Sequence, residues 1–264
     1  MSGDATGPYG HAGTRRGFLR ASTAAGKSPR MSQPPVSYKR HRFPPAIIAH
    51  AVWLHFRFPL SLRLVEEMLL ERGIVASYET VRRWAMKFGR DYARRLRRKR
   101  PSRHDIWHLD EVVVSIGGKK HWLWRAVDQD GYILDEIVQT RRDTKAARRL
   151  LTRLLKKQGC PPRRMITDKL GSYAAARRQI MPAIEHRSHK RLNNRAENSD
   201  VPLRKRERMM QGFRSPGGLQ RFIAVFSAVR NIFVPPRSHR SALATHMHRL
   251  NAMAHWKAVA GVAA

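Results

Sequence analysis

Hydrophobic and polar positions alternate with two different periods along this chain, and the change of period divides it. Residues 46–56 are apolar around most of a helical circumference, which suits a buried first helix. Ser61 stands at an N-cap position before Leu62, Val65 and Leu69, which recur at i, i+3 and i+7, and Gly73 ends that segment. Ser77 is placed to cap a third helix. Its Val81, Trp84, Ala85 and Phe88 form the inward stripe, and Glu79, Thr80, Arg82, Arg83, Lys87 and Arg90 face outward.

From Ile106 the pattern becomes that of strands. Ile-Trp-His-Leu-Asp-Glu-Val-Val-Val (106–114) is a β-branched apolar run, and Gly117-Gly118 and Asp130-Gly131 are hairpin signals that set off two further strands over 120–127 and 132–140. Asp143 caps a helix with Ala146, Ala147, Leu150, Leu151, Leu154 and Leu155 on one face, stopped by Gly159 and Pro161-Pro162. Arg164–Asp168 reads as a short strand ending on an acid, and Gly171-Ser172 open the next helix. Ser215-Pro216 start another, with Leu219, Phe222, Ile223, Phe226, Val229 and Phe233 as its stripe. Leu243, Met247, Leu250, Met253 and Trp256 keep helical spacing in the tail, suited to packing on the core or on a second subunit.

Charge adds a partner to this picture. With 53 Lys plus Arg against 19 Asp plus Glu, the chain carries +34, an excess that calls for a polyanion, and nucleic acid is the polyanion whose phosphates release counterions to Lys and Arg. The run from Tyr92 to Arg103 concentrates Arg94, Arg95, Arg97, Arg98, Lys99, Arg100 and Arg103, as a linker that tracks phosphates. A single cysteine, Cys160, excludes a disulfide framework and a thiolate zinc cluster, and points to a reducing compartment. No segment reaches the roughly 18 apolar residues of a membrane span. Thr14–Leu19 has the form of a twin-arginine export motif, but the charged and polar residues 20–28 replace the apolar core such a signal needs. Residues 1–30 are rich in Gly, Ala, Ser and Thr without periodicity and read as a disordered leader, with Met31 as an alternative start.

Carboxylates inside apolar strands need a pairing partner, a metal or a chemical role. Asp110 and Glu111 are neighbours on one strand, so at most one should point into a given site. Asp110 is the choice, because two later acids stand where a site can collect them. Asp168 lies at a strand's carboxyl end, where α/β sheets place their sites, although Asp also serves there as a turn or N-cap residue. Glu197 follows Asn194 at capping-box spacing, the competing structural use. Arg204 falls two turns further on the same helical face, placed to hold a phosphate beside Glu197. Pro202 predicts a kink between them, and Asp200 is a nearby competing acid. His186 and His189 have no cysteine near them and loose spacing, so they read as basic, DNA-facing residues rather than zinc ligands.

Asp110, Asp168 and Glu197, with Asn193-Asn194-Arg195 before the glutamate and Arg208–Phe213 after it, resemble the DDE transposases of the insertion-sequence IS6 family, the IS26-like group. The similarity spans about Ser37 to Phe233. It implies an α/β fold in which a ribonuclease H-like catalytic domain, a mixed sheet with flanking helices, follows a small all-α helix-turn-helix domain. It also implies replicative transposition at terminal inverted repeats with two Mg²⁺ ions, Mn²⁺ serving in their place, held by Asp110, Asp168 and Glu197. Arg204 takes the family's basic position seven residues after the glutamate. The expected organisation is a disordered leader over 1–36, the helix-turn-helix domain over 37–91, a basic linker over 92–104, the catalytic domain over 105–234 and a helical tail over 235–264. Double-stranded DNA, as element ends and as target, is the expected partner, contacted by Thr80, Arg82, Arg83, Lys87, Arg90, Arg94, Arg95, Arg97 and Arg98. A homodimer or higher oligomer on DNA, in the bacterial cytoplasm at the nucleoid, completes the expectation. The rival reading is a catalytically silent DNA-binding regulator or decayed copy, and a sequence-indifferent nuclease is a third.

Overall fold

Three helices come first among the described residues: α1 (Pro45–Arg57), α2 (Leu62–Leu70) and α3 (Tyr78–Arg95). Their starts follow the sequence closely. Pro45 occupies the first turn of α1, the Ser61 side chain accepts from the Leu64 N–H, and the Ser77 side chain accepts from the Thr80 N–H. In the computed structural model, residues 34–96, 98–189, 192–236 and 241–262 are described, and residues 35–264 make up one compact unit. Residues 1–33, which hold most of the expected leader, and Arg97 lie outside the described residues.

The sheet follows. β1 (Ile106–Ile116), β2 (Lys119–Val127) and β3 (Ile133–Gln139) form an antiparallel meander, turned at Gly117-Gly118 and Gly131, all with positive φ. After α4 (Thr144–Gln158), β4 (Arg164–Thr167) joins β1 in parallel, and after α5 (Gly171–Ile180), β5 (Glu185–Ser188) joins β4 in parallel. The strand order is β3-β2-β1-β4-β5. The short strand β5 was not expected. Its Glu-His-Arg-Ser sequence is mostly exposed and lacks apolar alternation, since an edge strand with an open face needs none.

Three helices complete the unit: α6 (Asn194–Met209), α7 (Pro216–Asn231) and α8 (Ala242–Val259). The two faces of the sheet bury different partners. Trp107, Leu109, Trp124 and Ala126 pack against Leu150, Leu151 and Leu154 of α4 and Tyr173 of α5. On the other side Val114, Ile116 and Leu123 share a core with Ile48, Val52, Trp84 and Phe88 of the first helices and with Ile223 and Phe226 of α7. Helix α7 also satisfies the free edge of β3: Gln220 accepts from the Val138 N–H at 3.0 Å, and Asn231 both accepts from and donates to Ile133. Tail helix α8 is half seated. Trp256 is buried against Tyr92 and donates to the Ala49 carbonyl, whereas Leu243, Met247 and Leu250 are exposed.

Candidate active site

Parallel pairing between β1 and β4 runs from Ile106 opposite Arg164 to Leu109 opposite Thr167, and there it stops. The next residue on each strand is an acid, Asp110 and Asp168. Beyond this point β1 continues to Ile116 with β2 on one side and no β4 partner on the other, so the acids stand at an open step in the sheet. Asp168 is held by its surroundings. Its carboxylate accepts from the Leu170 N–H at 3.0 Å, so the turn use of Asp is realised as well, and its carbonyl accepts from the hydroxyls of Thr167 and Ser188.

Glu111 corrects one expectation. Oxygen atoms of Asp110, Glu111 and Asp168 lie within 4.8 Å of one another, although the first two are strand neighbours. Alternation fixes the direction of each Cα–Cβ bond but not of the carboxylate beyond it, and on the side where β4 has ended both carboxylates can turn toward the gap. Glu111 is buried, one of its oxygens accepts from Arg142 Nε at 2.9 Å, and Tyr173 is the further side chain that interacts with its carboxylate. Arg142, in the β3–α4 connection, also lies 3.8 Å from Asp168 and stacks over the Trp122 ring at 5.0 Å.

Such crowding raises the cost of ionisation. Burial first, then the charges of Asp200, Glu111 and Asp168, push the Asp110 carboxyl up to about 7. Glu111 is also raised, by burial before the opposing pull of Arg142. Three clustered carboxylates are a hard-oxygen donor set suited to a divalent cation.

The third expected acid lies on α6. Glu197 is exposed in the first turn of α6 and is not among the three clustered carboxylates. The capping-box use of Asn194 is not realised: the helix begins at Asn194, and buried Asn193 instead donates its side-chain amide to the Leu109 carbonyl at 2.9 Å. That bond fastens the start of α6 to the residue before Asp110. Helix α6 then runs unbroken through Pro202, so Arg204 stays on the face of Glu197, exposed and 3.9 Å from Glu207.

Asp200 proves to be an anchor. Arg125, paired across the sheet with Asp110, is fully buried. It donates to Glu136 at 2.7 Å, to the Ser199 carbonyl at 2.7 Å and to Asp200. Burial, acting against Arg125, leaves the Asp200 carboxyl at about 6. At the other end of α6, buried Arg206 donates to the Phe58 carbonyl at 3.1 Å and contacts His55 at 2.7 Å. Sequence reasoning missed both arginines, since nothing in a chain so rich in them marks the buried ones.

The expected DNA-contacting residues are largely on the surface of α3, but several are engaged. Arg82 grips Glu79 with two bonds of 2.7 and 2.8 Å, Arg83 reaches the same acid at 3.3 Å, and the pair of cations holds Glu79 down at about 2. Thr80 Oγ1 meets Ser77 Oγ, Lys87 meets His41 at 2.8 Å, and Arg94 pairs with Asp91. Arg90 and Arg98 are exposed and Arg95 is half-buried, while Arg97 is outside the described residues. Lys99 departs from the phosphate-tracking reading of the basic run, because Asp128, Asp130 at 3.0 Å and Asp105 at 3.7 Å enclose its ammonium. His186 departs too. It bonds Thr167 Oγ1 at 2.9 Å, and burial followed by Arg177 lowers its pKa, so it is a neutral strand residue at physiological pH.

Residues 104–235 match the family model described as a DDE domain, of the IS240 transposase type. The chain is also 30% identical over 182 residues to the transposase for the insertion sequence-like element IS431mec of Staphylococcus aureus, covering 67% of this chain and 81% of the relative. This chain belongs to the IS6 family of DDE transposases. The transposase for IS257 in transposon Tn4003, also from Staphylococcus aureus, matches at the same identity and coverage. Among solved structures, a simian T-cell lymphotropic virus intasome in complex with a PP2A regulatory subunit is similar at 18% identity and TM-score 0.39, with 50% of each chain covered. The HTLV-2 integrase catalytic core in complex with magnesium is similar at 15% identity and TM-score 0.37, with 51% of this chain and 88% of that one covered. Membership of the DDE transposase family makes the chain an enzyme of DNA strand cleavage and strand transfer. No helix among its described residues is long and apolar enough to cross a membrane.

Proposed function

We propose that this IS6 transposase binds terminal inverted repeats, nicks them to free 3′ hydroxyl ends and joins those ends to target DNA in replicative transposition. The observation that carries the proposal is the convergence of Asp110 and Asp168 at the step in the sheet, with carboxylate oxygens within 4.8 Å. A sheet ordered β3-β2-β1-β4-β5, with its first three strands antiparallel and the last two parallel to β1, supports a ribonuclease H-like catalytic core.

Asp110 and Asp168 would hold divalent ions, Mg²⁺ or Mn²⁺, with Glu197 as the third ligand and Glu111 beside them. Two such ions supply Lewis acidity to the attacking and leaving oxygens of an in-line displacement. The chain's own residues do the rest. Arg142 offsets the negative charge of Glu111 and Asp168, Asn193 and Arg125 fix the helix that carries Glu197, and Arg204 presents its guanidinium to a phosphate on the same face. Helices α1–α3 form the helix-turn-helix reader, with α3 entering the groove and Arg82, Arg83, Lys87 and Arg90 on its outer face. The enzyme acts on bacterial DNA in the cytoplasm as a dimer or higher assembly.

The test is strand cleavage and joining on a labelled element-end duplex with Mg²⁺, comparing the unmutated chain with Asp110→Asn, Asp168→Asn and Glu197→Gln. Metal-dependent 3′ nicking and joining, lost in all three while DNA binding persists, is the expected result. The rival reading is a silent DNA-binding regulator. Binding without nicking by the unmutated chain would establish that rival.

A further inference from the structure

Helix α4 contains no acidic residue, and its cations fall on one side. Ala146, Ala147, Leu150, Leu151 and Leu154 turn the opposite side into the core, which leaves Lys145, Arg148, Arg149, Thr152, Arg153 and Lys156 around a shallow, open depression. Arg153 is neutralised by Asp135, which it shares with Lys157, and Arg149 is steadied by the uncharged side chain of Gln139 at 2.6 Å. Lys145, Arg148 and Lys156 face no acid among the ion pairs of the described residues. By contrast, α3 places Glu79 between Arg82 and Arg83 and Asp91 beside Arg94.

This arrangement does not help the helix. Like charges at i, i+3 and i, i+4 repel, and Lys145 lies in the first turn, where the helix dipole disfavours a cation. A ligand that brings negative charge reverses both effects. The stripe from Lys145 to Lys156 is about 16 Å long at helical rise, the axial length of about five base pairs. Its N-terminal end lies three residues past Arg142, which touches Glu111 and Asp168.

We infer that the exposed face of α4 is a second DNA-binding surface, distinct from α3, which holds the phosphate backbone of a duplex leading to the carboxylate site without reading its sequence. Sequence-independent binding fits the target duplex. The inference rests on the proposed DNA-joining function.

The test is binding of the full chain to a fluorescent duplex that lacks element ends, measured against salt. The variant K145Q/R148Q/K156Q should lower the slope of log K against log salt by about 2 to 3, at roughly 0.9 per lost phosphate contact, while K145R/R148K/K156R keeps the original slope. An unchanged slope in the glutamine variant, with the unmutated chain binding steeply, overturns the inference and leaves the proposed function standing. Failure of the unmutated chain to bind this duplex also overturns the inference, whereas failure to bind a duplex that carries element ends defeats the proposed function itself. Anionic phosphatidylglycerol vesicles form the other arm: loss of vesicle binding with unaltered DNA binding would assign the face to lipid and overturn the inference.

Discussion

Asp110 concentrates the electrostatic cost of the site in one carboxyl. Because its folded value is near 7 and its ordinary value 3.8, the fold holds that proton more tightly than the unfolded chain does. The resulting stability is complete below about pH 4 and is lost as pH rises through 7. In a chelator at pH 8, Asp110→Asn should therefore stabilise the protein by on the order of 2 kcal/mol, or roughly 4–8 °C in Tm, and change little at pH 4. Mg²⁺ should raise the Tm of the unmutated chain more than that of the variant. Thermal melts at the two pH values check this, and equal Tm values at pH 8 would count against it. The acid was legible in the sequence because a carboxylate in an apolar strand stands out. The company of Glu111 was not, because alternation along a strand says nothing about where the neighbouring strand ends.

At the scale of elements, α6 is fixed from within by Arg125 and at its two ends by Asn193 and Arg206. Removing the Arg125 guanidinium strands Glu136 and Asp200 as buried anions with little compensation. Arg125→Ala should cost roughly 3–5 kcal/mol, more than Asp200→Asn, which leaves the arginine its bonds to Glu136 and Ser199. Urea unfolding of both variants measures the difference, and a reversed order would show that Asp200 anchors the helix and Arg125 does not. The element boundaries themselves were largely readable. Ser61, Ser77, Asp143 and Ser215 all cap the helices expected of them, and Gly117-Gly118 and Gly131 turn the hairpins. Strand β5 escaped because its residues are polar, and the path of α6 through Pro202 escaped because tertiary bonds at Arg125 and Arg206 outweigh one missing backbone bond.

Across the whole molecule, the first helices and the sheet share a core through α7, and His55 with Arg206 ties α1 to α6. Burial first, then Arg206, lowers the His55 pKa to about 3. Here the sign is opposite to that of Asp110: the unfolded chain takes up a proton near pH 6.5 that the folded chain refuses. His55 therefore contributes stability above pH 6.5 that is lost as pH falls toward 3, amounting to roughly 3 kcal/mol at pH 4. His55→Gln should flatten this part of the stability profile, as followed by denaturant midpoints between pH 7 and pH 4; a profile as steep as that of the unmutated chain would exclude His55 as its source. Such long-range seams were not legible in the sequence, where the change of hydrophobic period pointed to two separate regions.

Cys160 sits two residues past the end of α4, half-buried, and is the one thiol of the chain. A maleimide dye or a disulfide-tethered oligonucleotide can thus be attached at a single defined point beside the basic face of α4 without first removing other cysteines. The protein carries its own ruler for locating DNA on that face.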